Sequence, residues 1–167
     1  MSARRVCVSL FAVWLFGSPP SSAHALCIDD GKFYAKTTVE QEFRDASVVV
    51  RGNVLSSQEI SIGDPDESLG VLYHVRIDHS FKGKPPQNLI YYSRRDSGGF
   101  YLNVGTQYLL FLNPISSSMW AKDAPGAMVV NYNCGQSRAW AEVPLGDRKR
   151  LSALSVGDNA RAYSPPK

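Results

Sequence analysis

His74 and His79, the acids Asp64, Asp66 and Glu67, and an arginine pair among aromatic rings are the side chains of this 167-residue sequence best equipped to act on another molecule. The two imidazoles offer nitrogens to a metal. On an alternating strand, however, positions five apart point to opposite faces, so surface histidines are the better reading. Asp64, Asp66 and Glu67 supply the hard oxygens that calcium takes, but their spacing does not match a twelve-residue calcium loop, and a solvated acidic turn is expected. No serine stands in a Gly-x-Ser-x-Gly elbow, so acyl transfer has no visible nucleophile. No catalytic residue, metal or cofactor is therefore expected, and the chain reads as a binding protein rather than an enzyme.

Arg94 and Arg95, with Tyr91, Tyr92, Phe100 and Tyr101, form the one basic cluster interleaved with aromatics, a composition able to stack sugars or bases. The plainer reading has the tyrosines alternate between core and surface while the arginines flank a loop. Nucleic acid is not the expected partner. Lys+Arg 18 against Asp+Glu 15 leaves a formal charge of only +3, with no basic run. Met119, Trp120 and Trp140 offer either an exposed apolar patch for a partner or packing for the C-terminal segment.

Residues 1–25 read as a cleavable export signal. Arg4 and Arg5 precede an apolar stretch over 6–16, a Pro/Ser break covers 18–22, and Ala23-His24-Ala25 supplies the cleavage site. The apolar stretch is about half of the roughly 20 residues that span a bilayer, and none follows it, so no transmembrane segment is expected after signal removal. Lipid attachment at Cys27 would want a small residue before it, where Leu26 stands. The expected location is the periplasm or the extracellular space. Cleavage removes Cys7 and leaves Cys27 and Cys134, an even pair that suggests one disulfide in an oxidising compartment. It would close a loop of about 106 residues, worth on the order of 4 to 5 kcal/mol in the chain-entropy account. Two free buried thiols are the alternative.

Residues 37–46 (TTVEQEFRDA) set Val39 and Phe43 four apart among charges, predicting a short helix capped by Thr37 or Thr38. The β-branched stretch 47–56 (SVVVRGNVLS) predicts a strand with a bulge or bend at Gly52, and 60–68 an acidic turn. In 69–81, Val71, Tyr73, Val75 and Ile77 alternate with Leu72, His74, Arg76 and Asp78, as a half-buried strand requires. Gly83 and Pro85-Pro86 end it. Further strands are expected over 88–93, 107–112 and 127–132, an exposed loop over 94–105, and a helix over 146–155 before a frayed tail. Five short strands point to an all-β, closed or partly closed barrel. A β-sandwich, which wants about seven, is the alternative.

Four segments then occur in a telling order after Cys27. They are Phe43-Arg44-Asp45-Ala46-Ser47-Val48-Val49-Val50-Arg51-Gly52-Asn53-Val54, the strand ending Phe81-Lys82-Gly83, Gly105-Thr106-Gln107-Tyr108-Leu109-Leu110-Phe111, and Asn133-Cys134-Gly135. Over roughly residues 26–135 this order resembles the netrin-like domain, the OB-fold module of the tissue inhibitors of metalloproteinases and their bacterial relatives. The resemblance implies a five-stranded OB-fold-like Greek-key barrel with a short helix before the first strand and a C-terminal helix. The organisation would be a signal over 1–25, the domain over 26–158 and a flexible tail over 159–167.

In the animal inhibitors the mature chain opens with Cys-x-Cys, whose first residue chelates the protease zinc. Here Leu26 precedes Cys27, and Asp29 stands in place of the second cysteine. The inhibitory ridge implied for this chain is Leu26, Cys27, Ile28 and Asp29, beside the 60–68 and 94–103 loops. The implied function is an exported, non-catalytic binding domain that inhibits an extracellular or periplasmic metalloprotease. The alternative is a cell-envelope interaction or adaptor domain that binds a protein or glycan through Arg94, Arg95, Phe100 and Tyr101 and inhibits nothing.

Overall fold

The computed structural model describes residues 28–29, 32–33, 37–61, 68–95, 99–115, 124–132 and 135–162. The expected export signal, Leu26, Cys27, Cys134, the acids of the 62–67 turn, Met119 and Trp120 lie outside them. In chain order the elements are β1 (Ile28–Asp29), β2 (Lys32–Phe33), α1 (Val39–Asp45), β3 (Val48–Ser61), β4 (Ser68–Lys82), β5 (Asn88–Arg94), β6 (Gln107–Pro114), β7 (Met128–Val130), β8 (Arg138–Ala139), a 3₁₀ turn (Trp140–Glu142) and α2 (Leu145–Ala162).

α1 begins where Thr38, in extended backbone, accepts the Gln41 N–H on its side-chain oxygen at 3.1 Å, satisfying a donor that the first turn leaves orphaned. At the other end the Lys82 ammonium donates to the carbonyls of Phe43 (2.7 Å) and Arg44 (2.9 Å), a cation on the negative end of the helix. Lys82 closes β4, so the bond also fixes the helix against the sheet.

β3 is the hub. It pairs antiparallel with β4 along one edge and with β6 along the other. β4 pairs with β5, β5 runs parallel to β7, and β7 pairs back to β6, so five strands form a ring in the order β3, β4, β5, β7, β6. One sheet closed on itself replaces the two facing sheets of a sandwich. Closure demands strong curvature, and the β3–β4 register shifts at four places, one between Arg51 and Gly52 where the sequence predicts the bulge. A Cβ at Gly52 would lie 2.7 Å from Val75 Cγ1 and 2.9 Å from the Arg76 carbonyl oxygen, which explains why no larger residue stands there.

Alternation along the strands feeds two cores. Val50, Tyr73, Val75, Tyr91, Leu110 and Leu112 fill the inside of the ring. Their neighbours Val49, Phe81, Leu109 and Phe111 face outward, where Val39 and Phe43 of α1 and Leu151 of α2 cover them. Residues 108–112 of β6 are consequently buried on both faces and read as an unbroken apolar run.

Several elements differ from expectation. β3 continues past 56 to Ser61, because the hairpin partner β4 supplies ladder bonds to its polar end. β7 keeps only three residues, whereas α2 extends to Ala162, four residues into the segment expected as tail. β1, β2 and β8 are too short to carry any periodicity and were not expected. Within 94–105 Leu102 is buried beneath the loop, which therefore folds onto the inner core and is not wholly exposed.

Candidate functional site

The aromatic-basic cluster divides when folded. Tyr91 lies in the inner core and Tyr92 in a small outer cluster with Ala124 and Ala127, as alternation along β5 dictates. Tyr91 donates its hydroxyl to the Phe100 carbonyl at 2.8 Å, and burial pushes its phenol well above the usual range. Phe100 turns its ring edge-on to Tyr108 at 6.2 Å and is half-buried, so it holds the loop down.

Arg94, Arg95 and Tyr101 are the residues on display. Tyr101 is 48% exposed, with its hydroxyl donating to the Arg94 carbonyl at 3.0 Å, and the Arg95 N–H donates to the Leu69 carbonyl. The Arg95 guanidinium meets Glu59 at 3.3 Å. Both side chains are more than half exposed, so that pair contributes about 0 to 1 kcal/mol and orients more than it stabilises.

Of the N-terminal ridge, Ile28 pairs with Phe33 and Asp29 with Lys32 in a two-stranded antiparallel turn. Leu26 and Cys27, together with Cys134 of the expected disulfide, lie outside the described residues. His74 and His79 both stand on β4. Among the described residues no three His, Cys, Asp or Glu side chains gather as a metal site would need.

Glu42 escaped sequence reasoning altogether. Its side chain is fully buried under α1, where Oε1 accepts the Gln136 N–H at 2.6 Å and the Thr37 hydroxyl, while Oε2 has no partner among the described residues. Burial pushes this carboxyl above the usual range, against the opposing pull of those two donors and of Arg138. A Cβ at Gly135 would land on the carboxyl, so the backbone after Cys134 can approach only because glycine stands there.

A second cluster that spacing did not reveal is an open cleft of about 240 Å³ lined by Arg51, His79, Phe81, Trp140, Arg148 and Ser152. Arg51 and His79 are register partners on β3 and β4, so their side chains leave the same face of the sheet. Trp140 stacks on Phe81 at 6.2 Å, and both the Arg51 and Arg148 guanidiniums lie over its ring, at 5.1 and 4.6 Å from the centroid. Trp140 therefore packs the C-terminal segment against the sheet, the second of its two expected roles. The available signal was an arginine inside the apolar strand SVVVRGNV, a poor position for a charge unless the outer face opens there.

No protein-family model matches this chain, and no curated protein is significantly similar to it, so a reading of its function rests on its own residues.

Proposed function

We propose that the chain is an exported, non-catalytic binding domain of netrin-like, OB-fold-like type. Residues 1–25 would be removed, and Cys27 and Cys134 would be joined. The observation that carries the reading is strand order. β3, β4 and β5 follow one another, β6 returns to pair with β3, and β7 inserts between β5 and β6. That return is a Greek key, and five strands closed in this way suit an OB-fold-like barrel. α1 stands before the first ring strand and α2 after the last, as the resemblance requires.

In its specific form the proposal is metalloprotease inhibition through Leu26, Cys27, Ile28 and Asp29. A free α-amino group with a pKa near 8 is partly neutral at physiological pH and able to bind a metal. Intact mass spectrometry of the exported protein comes first: a chain starting at Leu26, two mass units below its reduced form, is expected. Inhibition of a zinc protease by that chain should then disappear on Cys27→Ser and on extending the N-terminus by one residue. Inhibition that survives both changes would remove this mechanism.

The second reading, an adaptor for a protein or glycan, is favoured by half-exposed Tyr101, whose hydroxyl is fixed on the Arg94 carbonyl, and by the exposed guanidinium of Arg95. It predicts that Tyr101→Ala and Arg95→Ala weaken partner capture, whereas N-terminal extension leaves capture unchanged.

A further inference from the structure

The cleft between Arg51 and Arg148 holds more positive charge than its surroundings balance. Two guanidiniums lie about 5 Å from one indole centroid, which puts them within about 10 Å of each other. Among the described residues neither has a carboxylate within ion-pair distance, whereas Arg76 and Arg95 each reach one and Arg150 reaches two. Arg51 is further exposed to loss because its Nε is shut off from solvent with no acceptor among the described residues. A guanidinium stripped of part of its water and lacking a counter-ion gains more from an anion than a fully hydrated one does.

Both cations are also held in place. Arg51 stands on a stretch of β3 paired on both edges, opposite His79 of β4 and Leu109 of β6. Arg148 donates from Nε to the Val143 carbonyl at 3.0 Å and from Nη2 to the Trp140 carbonyl at 2.8 Å, which leaves both N–H groups of Nη1 and the second of Nη2 open among the described residues. Prior fixing of this kind lowers the ordering cost that a ligand would otherwise meet.

We propose that this cleft is an anion-binding site that takes one carboxylate or phosphate group, with Arg51 and Arg148 supplying the charge and Trp140 part of the lining. Guanidinium forks match the paired oxygens of both groups. The volume of about 240 Å³ falls below the roughly 300 to 1,000 Å³ of sites that enclose drug-sized ligands, so a single anionic group fits and a large cofactor does not. That group could arrive as a free small anion or as an acidic side chain on a peptide. The site is independent of the N-terminal ridge and of the Tyr101 loop, and it stands or falls apart from them.

The test is a titration of the isotopically labelled chain beginning at Leu26, followed by NMR at the Trp140 indole N–H, with chloride adjusted to hold ionic strength constant. The probes are inorganic phosphate and a capped tri-glutamate peptide. A saturable shift with either probe is expected, weakened at least tenfold by Arg51→Gln. Tighter binding of the peptide would name an acidic side chain as the ligand, and binding of phosphate alone would name a free anion. Ser152→Asp offers a second handle, because Ser152 is an exposed wall residue and a tethered carboxylate there should occupy the site. It should abolish binding of both probes and raise the melting temperature. Absence of a saturable shift with either probe, or a shift that persists unchanged in Arg51→Gln and Ser152→Asp, would overturn the proposal.

Discussion

Glu42 is an acid placed where its charged form is penalised, and the consequence can be followed through pH. Its folded-state pKa lies above the ordinary 4.5, chiefly because burial disfavours the carboxylate. The folded state therefore binds the proton more tightly than the unfolded chain does. The stability this contributes is fully present below about pH 4.5 and is lost as pH rises through the raised value. Glu42→Gln, which cannot ionise, should flatten this part of the profile and stabilise the protein at neutral pH relative to wild type. Glu42→Ala should instead destabilise by about 1 to 3 kcal/mol, since it strands the buried Gln136 N–H. Urea denaturation between pH 4 and 8 checks both, and a Gln variant with the wild-type slope would contradict the account. Glu42 could have been found from the sequence, because Val39, Glu42, Phe43 and Ala46 share one helical face and all four are buried. Its charge concealed it among Glu40, Arg44 and Asp45.

α1 shows how a seven-residue helix, too short to persist alone, is kept by its ends. Thr38→Ala removes the cap at the N-terminus and should cost about 1 kcal/mol. Lys82→Met keeps the apolar stem while deleting two charged hydrogen bonds to the last turn, for an expected loss of about 1 to 3 kcal/mol. The two sites share no partner, so the double variant should lose the sum within about 0.5 kcal/mol. Chemical denaturation of the four proteins measures it, and a large departure from additivity would mean that the helix melts as a unit once either end is freed. This helix and its cap were readable beforehand because local signals determine them: a hydrophobic pair four apart and a threonine three residues before Gln41. The long strands were readable for the same reason, through period-two alternation in β4 and β-branched residues in β3. β8 was not, since Arg138 and Ala139 become a strand only because β6 offers an edge to them.

The ring itself could be anticipated only as a class. Its closure depends on β3 meeting β6, a pairing of Val48 with Leu112 across more than sixty residues, and no local pattern encodes such a distance. The cleft was hidden for the same reason: Arg51, His79 and Trp140 meet only after β3, β4 and the segment behind β8 are assembled. Assembly also creates a dependence between the two cores, because each of the central strands contributes side chains to both. β6 sends Leu110 inward and Leu109 and Phe111 outward against Leu151 of α2. Neither face can be lost without exposing the backs of the same strands. The described fold should therefore unfold in one transition. Leu110→Ala and Leu151→Ala, both at fully buried positions, should each cost about 2 to 5 kcal/mol. In a Trp120→Phe background of the chain beginning at Leu26, Trp140 is the one remaining indole and reports on the outer core, while far-UV circular dichroism reports on the sheet. The two signals should lose amplitude at the same denaturant concentration in wild type and in both variants. If α2 were a separable cover, Leu151→Ala would shift the Trp140 transition and leave the sheet transition where it was. That separation would show that the outer core is an accessory to the ring rather than part of its cooperative unit.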